Sequence, residues 1–357
     1  MEDARSGIIS KEVEMRREIV DVLRDQVWGK PLVLDVTEEN GDEIISGTLN
    51  SPDFSYPIVR GVPYLYEGIG PSQRQTIDSF SSKWKRAPDY REDTSGFYWQ
   101  WYLDRYAQGY EGNLLQRLYG VSTILDAGTG LGRDAEHFKR ISDAEVFAID
   151  LSEGIHLAYD RLHHTGIHFI RCDIANLPFE SMFFDFISCD QVLHHTPYPY
   201  YTLGHLARHL TRNGLLNFYV YKVKAPMREL CDDHLRSITS QYPADECYSF
   251  SEKLAKIGKQ LTEMEQSITV DDIPELGIEA GIYDLQRFFY WNFIKMFYNA
   301  DFSWEDNIAV NFDWYHPVCA KRYTRDEVEC MVDRAGLRID SFHESDAGYS
   351  VRTRRSE

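Results

Sequence analysis

The middle of the chain switches repeatedly between two hydrophobic periods. "TILDA", "EVFAI", "HFIRC" and "FDFISC" are apolar runs of strand length, separated by stretches whose apolar residues recur at helical spacing. Alternation of this kind over residues 121–222 predicts a parallel α/β sheet. "LTRNGLLNFYVY" adds a turn and a fifth strand. Upstream, residues 10–27 read as an amphipathic helix. From Lys30 to Tyr66, β-branched runs broken at Asn40, Gly41, Pro57 and Pro63 predict a small antiparallel module. Residues 76–118 are helical in pattern and rich in aromatics, and residues 223–320 read as a long, mainly helical insertion. The tail "YTRDEVECMVDRAGLRIDSFHESDAGYSVRTRRS" predicts a helix and two strands, with Thr324 and Glu327 forming a capping box at the helix start. The expected division is 1–27 N-terminal helix, 28–70 β module, 71–120 aromatic helices, 121–222 core, 223–320 cap, and 321–357 C-terminal helix and hairpin.

Composition narrows the partners. Among 357 residues, 38 basic and 57 acidic side chains leave a net charge of −19. A broad phosphate-binding surface needs clustered Lys and Arg, so nucleic acid is not an expected partner. The N-terminus is charged throughout and lacks the apolar centre of a signal peptide. No run approaches the roughly 18 apolar residues of a membrane span, so no membrane partner is expected either. The six cysteines include no CxxC pair, which fits reduced thiols in a cytoplasmic enzyme and predicts no metal site.

The chemistry concentrates in "LDAGTGLGRD". Its glycines, Gly128, Gly130 and Gly132, follow a GxGxG pattern. A dinucleotide fingerprint would place its third small residue where Arg133 stands, and a large side chain there obstructs helix–strand packing. Asp126 closes the strand two residues before the first glycine. A pyrophosphate is repelled by that carboxylate, whereas the ammonium and sulfonium of S-adenosylmethionine (SAM) are attracted to it. Asp150 ends the second strand, where it can accept both ribose hydroxyls; Asp173 ends the third, where it suits an adenine amino group.

In order along the chain, "LDAGTGLGRD", "AIDLSEG", "CDIANLPF", "FDFISCDQVLHHTP" and "AGLRIDSF" resemble the class I SAM-dependent methyltransferases, particularly their ubiquinone/menaquinone-type branch. The resemblance covers residues 121–222 and 324–354. It implies a Rossmann-like seven-stranded sheet closed by a C-terminal antiparallel hairpin, and SAM as cofactor with S-adenosylhomocysteine as product. It also implies site roles. Asp126, Gly128, Thr129 and Gly130 line the methionine part. Asp150 holds the ribose with Leu151 beside the adenine, Cys172, Asp173 and Ile174 contact the adenine, and Asp190 lies near the sulfonium. The N-terminal module resembles the zinc-ribbon-like domain that precedes many such enzymes, with "DQVW" and "SPDF" where that domain carries its cysteine pairs.

The same resemblance makes the aromatic helices a lid over the cofactor, with Phe80 and Trp84 as its leading residues and Tyr98 and Trp99 as further candidates. His195, in the pair His194-His195 after a strand end, is a candidate acid/base group. Tyr315 and His316, in "DWYHP", are candidate substrate-facing residues. The expected reaction is methyl transfer to a small-molecule acceptor, aromatic or apolar, enclosed by the insertion. Methylation of tRNA or protein, SAM chemistry without methyl transfer, and SAM sensing remain open, as does a homodimer.

Overall fold

The computed structural model describes residues 17–41, 43–86 and 92–356. Of the expected N-terminal helix, residues 10–16 lie outside this set. Arg17–Val22 form a single stretch of 3-10 helix that buries Ile19 and Val20, and the chain then turns. That turn is tied by Asp25, whose carboxylate accepts the backbone N–H groups of Val27, Trp28 and Lys30 at 3.0, 2.6 and 2.9 Å. Burial raises the Asp25 pKa, but the three donors outweigh it and the net shift is downward. Asp25 belongs to "DQVW", so a carboxylate organises this loop through backbone hydrogen bonds.

A meander follows: β1 (Val33–Asn40), β2 (Glu43–Asn50), β3 (Ser55–Val59) and β4 (Val62–Leu65), each antiparallel to the next. Then come α1 (Pro71–Arg86), α2 (Glu92–Tyr106) and α3 (Glu111–Arg117). The core alternates β5 (Thr123–Ala127), α4 (Arg133–Ile141), β6 (Glu145–Ile149), α5 (Gly154–Leu162) and β7 (His168–Cys172). It continues through β8 (Phe184–Cys189), α6 (Pro199–His209) and β9 (Leu210–Lys222). The insertion holds α7 (Pro226–Thr239), α8 (Ala244–Glu263), the small pair β10 (Ser267–Val270) and β11 (Gly281–Asp284), α9 (Leu285–Asn292) and α10 (Trp304–Tyr315). The chain closes with β12 (Arg322–Tyr323), α11 (Arg325–Arg334), β13 (Leu337–Glu344) and β14 (Gly348–Arg355).

The main sheet runs β1-β2-β3-β4-β7-β6-β5-β8-β9-β14-β13, with β12 beside β9. Its last seven strands form a mixed Rossmann-like sheet: β5 to β9 are parallel, and β14 is antiparallel to both neighbours. The N-terminal meander is continuous with that sheet, because β4 pairs in parallel with β7 through Tyr64–Arg171 and Leu65–Cys172. Parallel strands covered on both faces must be apolar throughout, and β5 and β6 are buried at every position but their first. One face packs Leu125, Phe147 and Ile170 with the meander and α11. The other packs Ile124, Phe138 and Phe186 beneath α2, with Tyr102 and Tyr106 fully enclosed. Burying each such aromatic contributes about 2–3 kcal/mol. The insertion has its own centre, where Tyr248 stacks on Phe312 with ring centroids 3.9 Å apart. Among the described residues no helix is long and apolar enough to cross a membrane. No cluster of three or more His, Cys, Asp or Glu among them is arranged to hold a metal.

The strand order reverses at β5, which has β6 on one side and β8 on the other. Loops leaving the carboxyl ends of neighbouring strands diverge there and leave a crevice, the usual ligand position in an open α/β sheet.

Candidate active site

The glycine loop fills one wall of that crevice. Gly128 has φ +87°, and a Cβ on it would lie 2.4 Å from Val192 Cγ2. Its N–H and that of Thr129 both donate to the Ile149 carbonyl, at 2.8 and 2.9 Å, which anchors the loop to the end of β6. Asp126 accepts from the Thr129 hydroxyl at 2.5 Å and the Ala135 N–H at 3.2 Å. Asp150 accepts the N–H groups of Gly130 and Ser152 at 2.9 and 2.7 Å. Asp173 accepts from Gln73 at 2.6 Å and from the Ala175 N–H at 2.8 Å. Each acid is therefore positioned by the backbone turn that follows its strand.

Helix α1 crosses this loop. Cβ atoms on Gly130 and Gly154 would lie 3.0 and 2.6 Å from the Trp84 ring, so glycine at both places admits the indole. Phe80 stacks on Trp84 at 6.4 Å and meets His195 edge-on at 4.8 Å.

The loop side is electrostatically unbalanced. Burial pushes the Asp126 carboxyl up to about 7 despite its two donors, with Asp190 and Asp150 adding repulsion. Burial, then Asp126 and Asp190, raise Asp134 well above the usual carboxylate range, and burial also raises Asp150. Arg105, lying on the Trp101 face at 3.8 Å, pairs with Asp190 at 2.6 Å, and Tyr106 donates to the same carboxylate at 2.8 Å. One of the Arg105 guanidinium nitrogens, Nη1, is buried without a partner. A ligand with an ammonium, a sulfonium and a carboxylate supplies what these groups lack, so the residues present fit SAM.

The crevice continues into one cavity of about 530 Å³. Phe80, Trp84, Asp126, Gly128, Thr129, Gly130, Asp150, Leu151, Cys172, Asp173, Ile174, Asp190 and His195 all line it. His195 donates from Nδ1 to the Cys319 carbonyl at 2.6 Å, which fixes its tautomer, and burial lowers its pKa to about 4. A lowered pKa leaves the imidazole neutral at neutral pH, with its second ring nitrogen able to accept a hydrogen bond. His194 is packed behind it, 3.3 Å from the Tyr219 carbonyl.

Two expected catalytic residues make their contacts away from the cavity. The Tyr315 hydroxyl donates to Asp232 at 2.8 Å within the cap core. His316 spans the Ser79 hydroxyl at 2.9 Å and the Tyr242 carbonyl at 3.0 Å, joining α1 to the cap. Both stand outside the cavity lining, because α10 turns its Asp313 and Trp314 inward instead. Trp99 is also a packing residue, stacked on His137 at 4.2 Å, whereas Tyr98 lines the cavity.

Sequence reasoning missed the far wall: Lys83, Tyr219, Tyr221, Lys224, Arg228, Tyr290, Trp291 and Lys295. Tyr219 and Tyr221 alternate at the end of β9, and that period of two was the readable signal. The run 288–298, which reads as core, contributes Tyr290, Trp291, Lys295 and Phe297 to the lining.

Residues 125–218 match the family described as a methyltransferase domain. The matched segment contains the glycine loop and all three strand-end acids. An uncharacterized protein of Synechococcus sp. is 32% identical over 168 residues, covering 44% of this chain. The match spans about two fifths of that relative's length, 39%. Among solved structures, a SAM-dependent methyltransferase from Aquifex aeolicus is 14% identical. It covers 77% of this chain and 98% of its own, with a TM-score of 0.40. One from Mesorhizobium loti is 16% identical and covers 69% and 97%, with a TM-score of 0.40.

Proposed function

We propose that the whole protein is a SAM-dependent methyltransferase whose acceptor is a small molecule enclosed by the 223–320 insertion. The observation that carries this reading is one continuous cavity. At one end it has a glycine loop with buried acids, and at the other an aromatic chamber roofed by the cap.

In this reading Asp126, Gly128, Thr129, Gly130 and Asp190 hold the methionine part, with the Arg105 guanidinium beside them. Asp150 and Leu151 take the ribose, and Cys172, Asp173 and Ile174 take the adenine. Phe80 and Trp84 cover the site. When bound, SAM supplies an electrophilic methyl group. The chain's contribution is orientation and exclusion of water: fixing nucleophile and donor in line lowers a barrier by up to about 7–11 kcal/mol. Tyr219, Tyr221 and Trp314 form an apolar wall, and aromatic faces near a sulfonium add a cation–π attraction of ~1 kcal/mol. His195, through its remaining ring nitrogen, orients an acceptor hydroxyl or amine.

Calorimetric titration with S-adenosylhomocysteine, with NADH and an Asp150→Ala variant as controls, tests the reading. Binding of S-adenosylhomocysteine alone, strongly weakened in the variant, is expected. Binding of NADH instead would overturn it.

A further inference from the structure

The wall facing the glycine loop is basic, in a chain of net charge −19. Lys83, Lys224, Arg228, Arg287 and Lys295 all line it. They come from α1, the β9–α7 junction, α7, and α9 with the loop after it, so only the tertiary fold brings them together. Carboxylate partners are too few. Asp313 serves two of them, 2.7 Å from Lys83 Nζ and 3.8 Å from Lys295 Nζ. Arg228 is matched by Asp232 at 2.5 Å, an acid also occupied by Trp314 Nε1 and the Tyr315 hydroxyl, both at 2.8 Å. Among the described residues, neither Lys224 nor Arg287 has a carboxylate within ion-pair distance. Lys224 instead donates to the carbonyls of Asp346 and Ala347 at 2.7 and 2.6 Å. The remaining acid of this wall, Asp306, accepts from the Ser303 hydroxyl at the start of α10, at 2.8 Å.

Aromatic rings hold the cations near one another. Trp314 has Lys295 at 4.8 Å and Arg228 at 5.2 Å. Tyr290 has Arg228 at 5.0 Å and Arg287 at 5.4 Å, and Trp291 has Lys224 at 5.5 Å. Grouping like charges beneath a protein surface is unfavourable unless an anion completes the group. The strain registers in the lysines. Burial, with Arg228 nearby, lowers Lys224 to about 7, and burial lowers Lys295 to about 8 despite Asp313.

We propose that the acceptor is a carboxylic acid, its carboxylate held among Lys224, Lys295 and Arg287 and its apolar or aromatic body against Tyr221, Trp291 and Trp314. This rests on the methyltransferase reading and names the substrate class of that same cavity. A monoanion is favoured over a phosphate ester because Arg228, the guanidinium suited to bidentate phosphate contact, is already committed to Asp232. The remaining excess is carried by ammonium groups and one half-buried guanidinium.

The test uses the full chain saturated with S-adenosylhomocysteine and reads tryptophan quenching and calorimetric heats. Matched probes are phenylacetate, phenylacetamide and phenethylamine; benzoate, benzamide and benzylamine; and phenyl phosphate. Acids are expected to bind about tenfold or more tighter than their amides, as one charge-assisted contact provides. Lys295→Met and Lys224→Met should each erase most of that preference and leave S-adenosylhomocysteine affinity unchanged. Lys295→Met should also raise the melting temperature of the ligand-free protein, whereas a lysine with a purely structural role would lower it when removed. The proposal is overturned if amides or amines bind as well as acids, if phenyl phosphate binds best, if no acid binds, or if the variants keep the preference. Failure of the underlying reading is separately visible as absence of S-adenosylhomocysteine binding, and it removes this inference as well.

Discussion

The two ends of the cavity are built on opposite principles. At the cofactor end, Asp126, Asp150 and Asp173 come from consecutive strand ends, and each is oriented by backbone N–H groups within the next few residues or nearby. At the opposite end, apart from the Arg228–Asp232 pair within α7, the charged groups are gathered by contacts from distant parts of the chain. Lys83 meets Asp313 across 230 positions, and Arg228 lies between the Tyr290 and Trp314 rings. One end is acidic and locally determined; the other is basic and assembled by the cap. The two ends of the cavity thus present opposite charge, and under the proposed reading this gives a cationic cofactor and an anionic acceptor separate, complementary surroundings.

The largest expected effect tests the acidic end. Asp150→Ala should weaken S-adenosylhomocysteine by about a hundredfold, roughly 3 kcal/mol, by removing a charged acceptor from two hydroxyls. An unchanged calorimetric affinity would detach Asp150 from the cofactor. Next, Gly128→Ala should cost about 2–3 kcal/mol in urea unfolding, from a left-handed backbone and overlap with Val192. Adding Val192→Ala should restore the overlap part and not the backbone part; full restoration would mean the φ is unstrained.

A proton titration probes the acidic end without mutation. The Asp126 carboxyl, raised to about 7, binds a cation only when ionised. S-adenosylhomocysteine affinity should therefore be level above about 7 and fall as pH drops through that value, limiting at about tenfold per pH unit. Affinity that rises on acidification would contradict the carboxylate assignment. At the basic end, Asp313→Asn removes the acid shared by Lys83 and Lys295, and should tighten phenylacetate by about fivefold. Weaker binding would show that Asp313, rather than the lysines, meets the ligand. Smallest is His316→Asn: S-adenosylhomocysteine affinity should stay within about twofold while stability falls by about 1–3 kcal/mol. A selective loss of ligand affinity would return His316 to the site.

The core was readable because its determinants are local. Continuously apolar strands, a GxGxG turn and acids at strand ends are adjacent in the chain, so "LDAGTGLGRD" and "AIDLSEG" already imply the loop and its carboxylates. The meander was readable as antiparallel, but its parallel join to β7 through Tyr64 and Leu65 was not, since edge pairing depends on what is left open elsewhere in the sheet. "DWYHP" shows the limit most clearly. Its composition suited a substrate contact, yet four consecutive residues of the α10 terminus divide by direction: Asp313 and Trp314 face the cavity, Tyr315 and His316 the packing behind it. Composition alone does not say which way a helix is rotated. Arg105, the partner of Asp190, lies 85 positions from it in a stretch that reads as helix packing.

By itself, then, the amino-acid order determined the sheet, the glycine loop and the acids that await a cationic cofactor, because backbone geometry and hydrophobic period act over a few residues. Only the tertiary structure decided the sign of charge on the far wall of the cavity. A −19 chain gives no hint of a basic chamber, since Coulomb interactions depend on distance and burial in the folded molecule and not on separation along the chain.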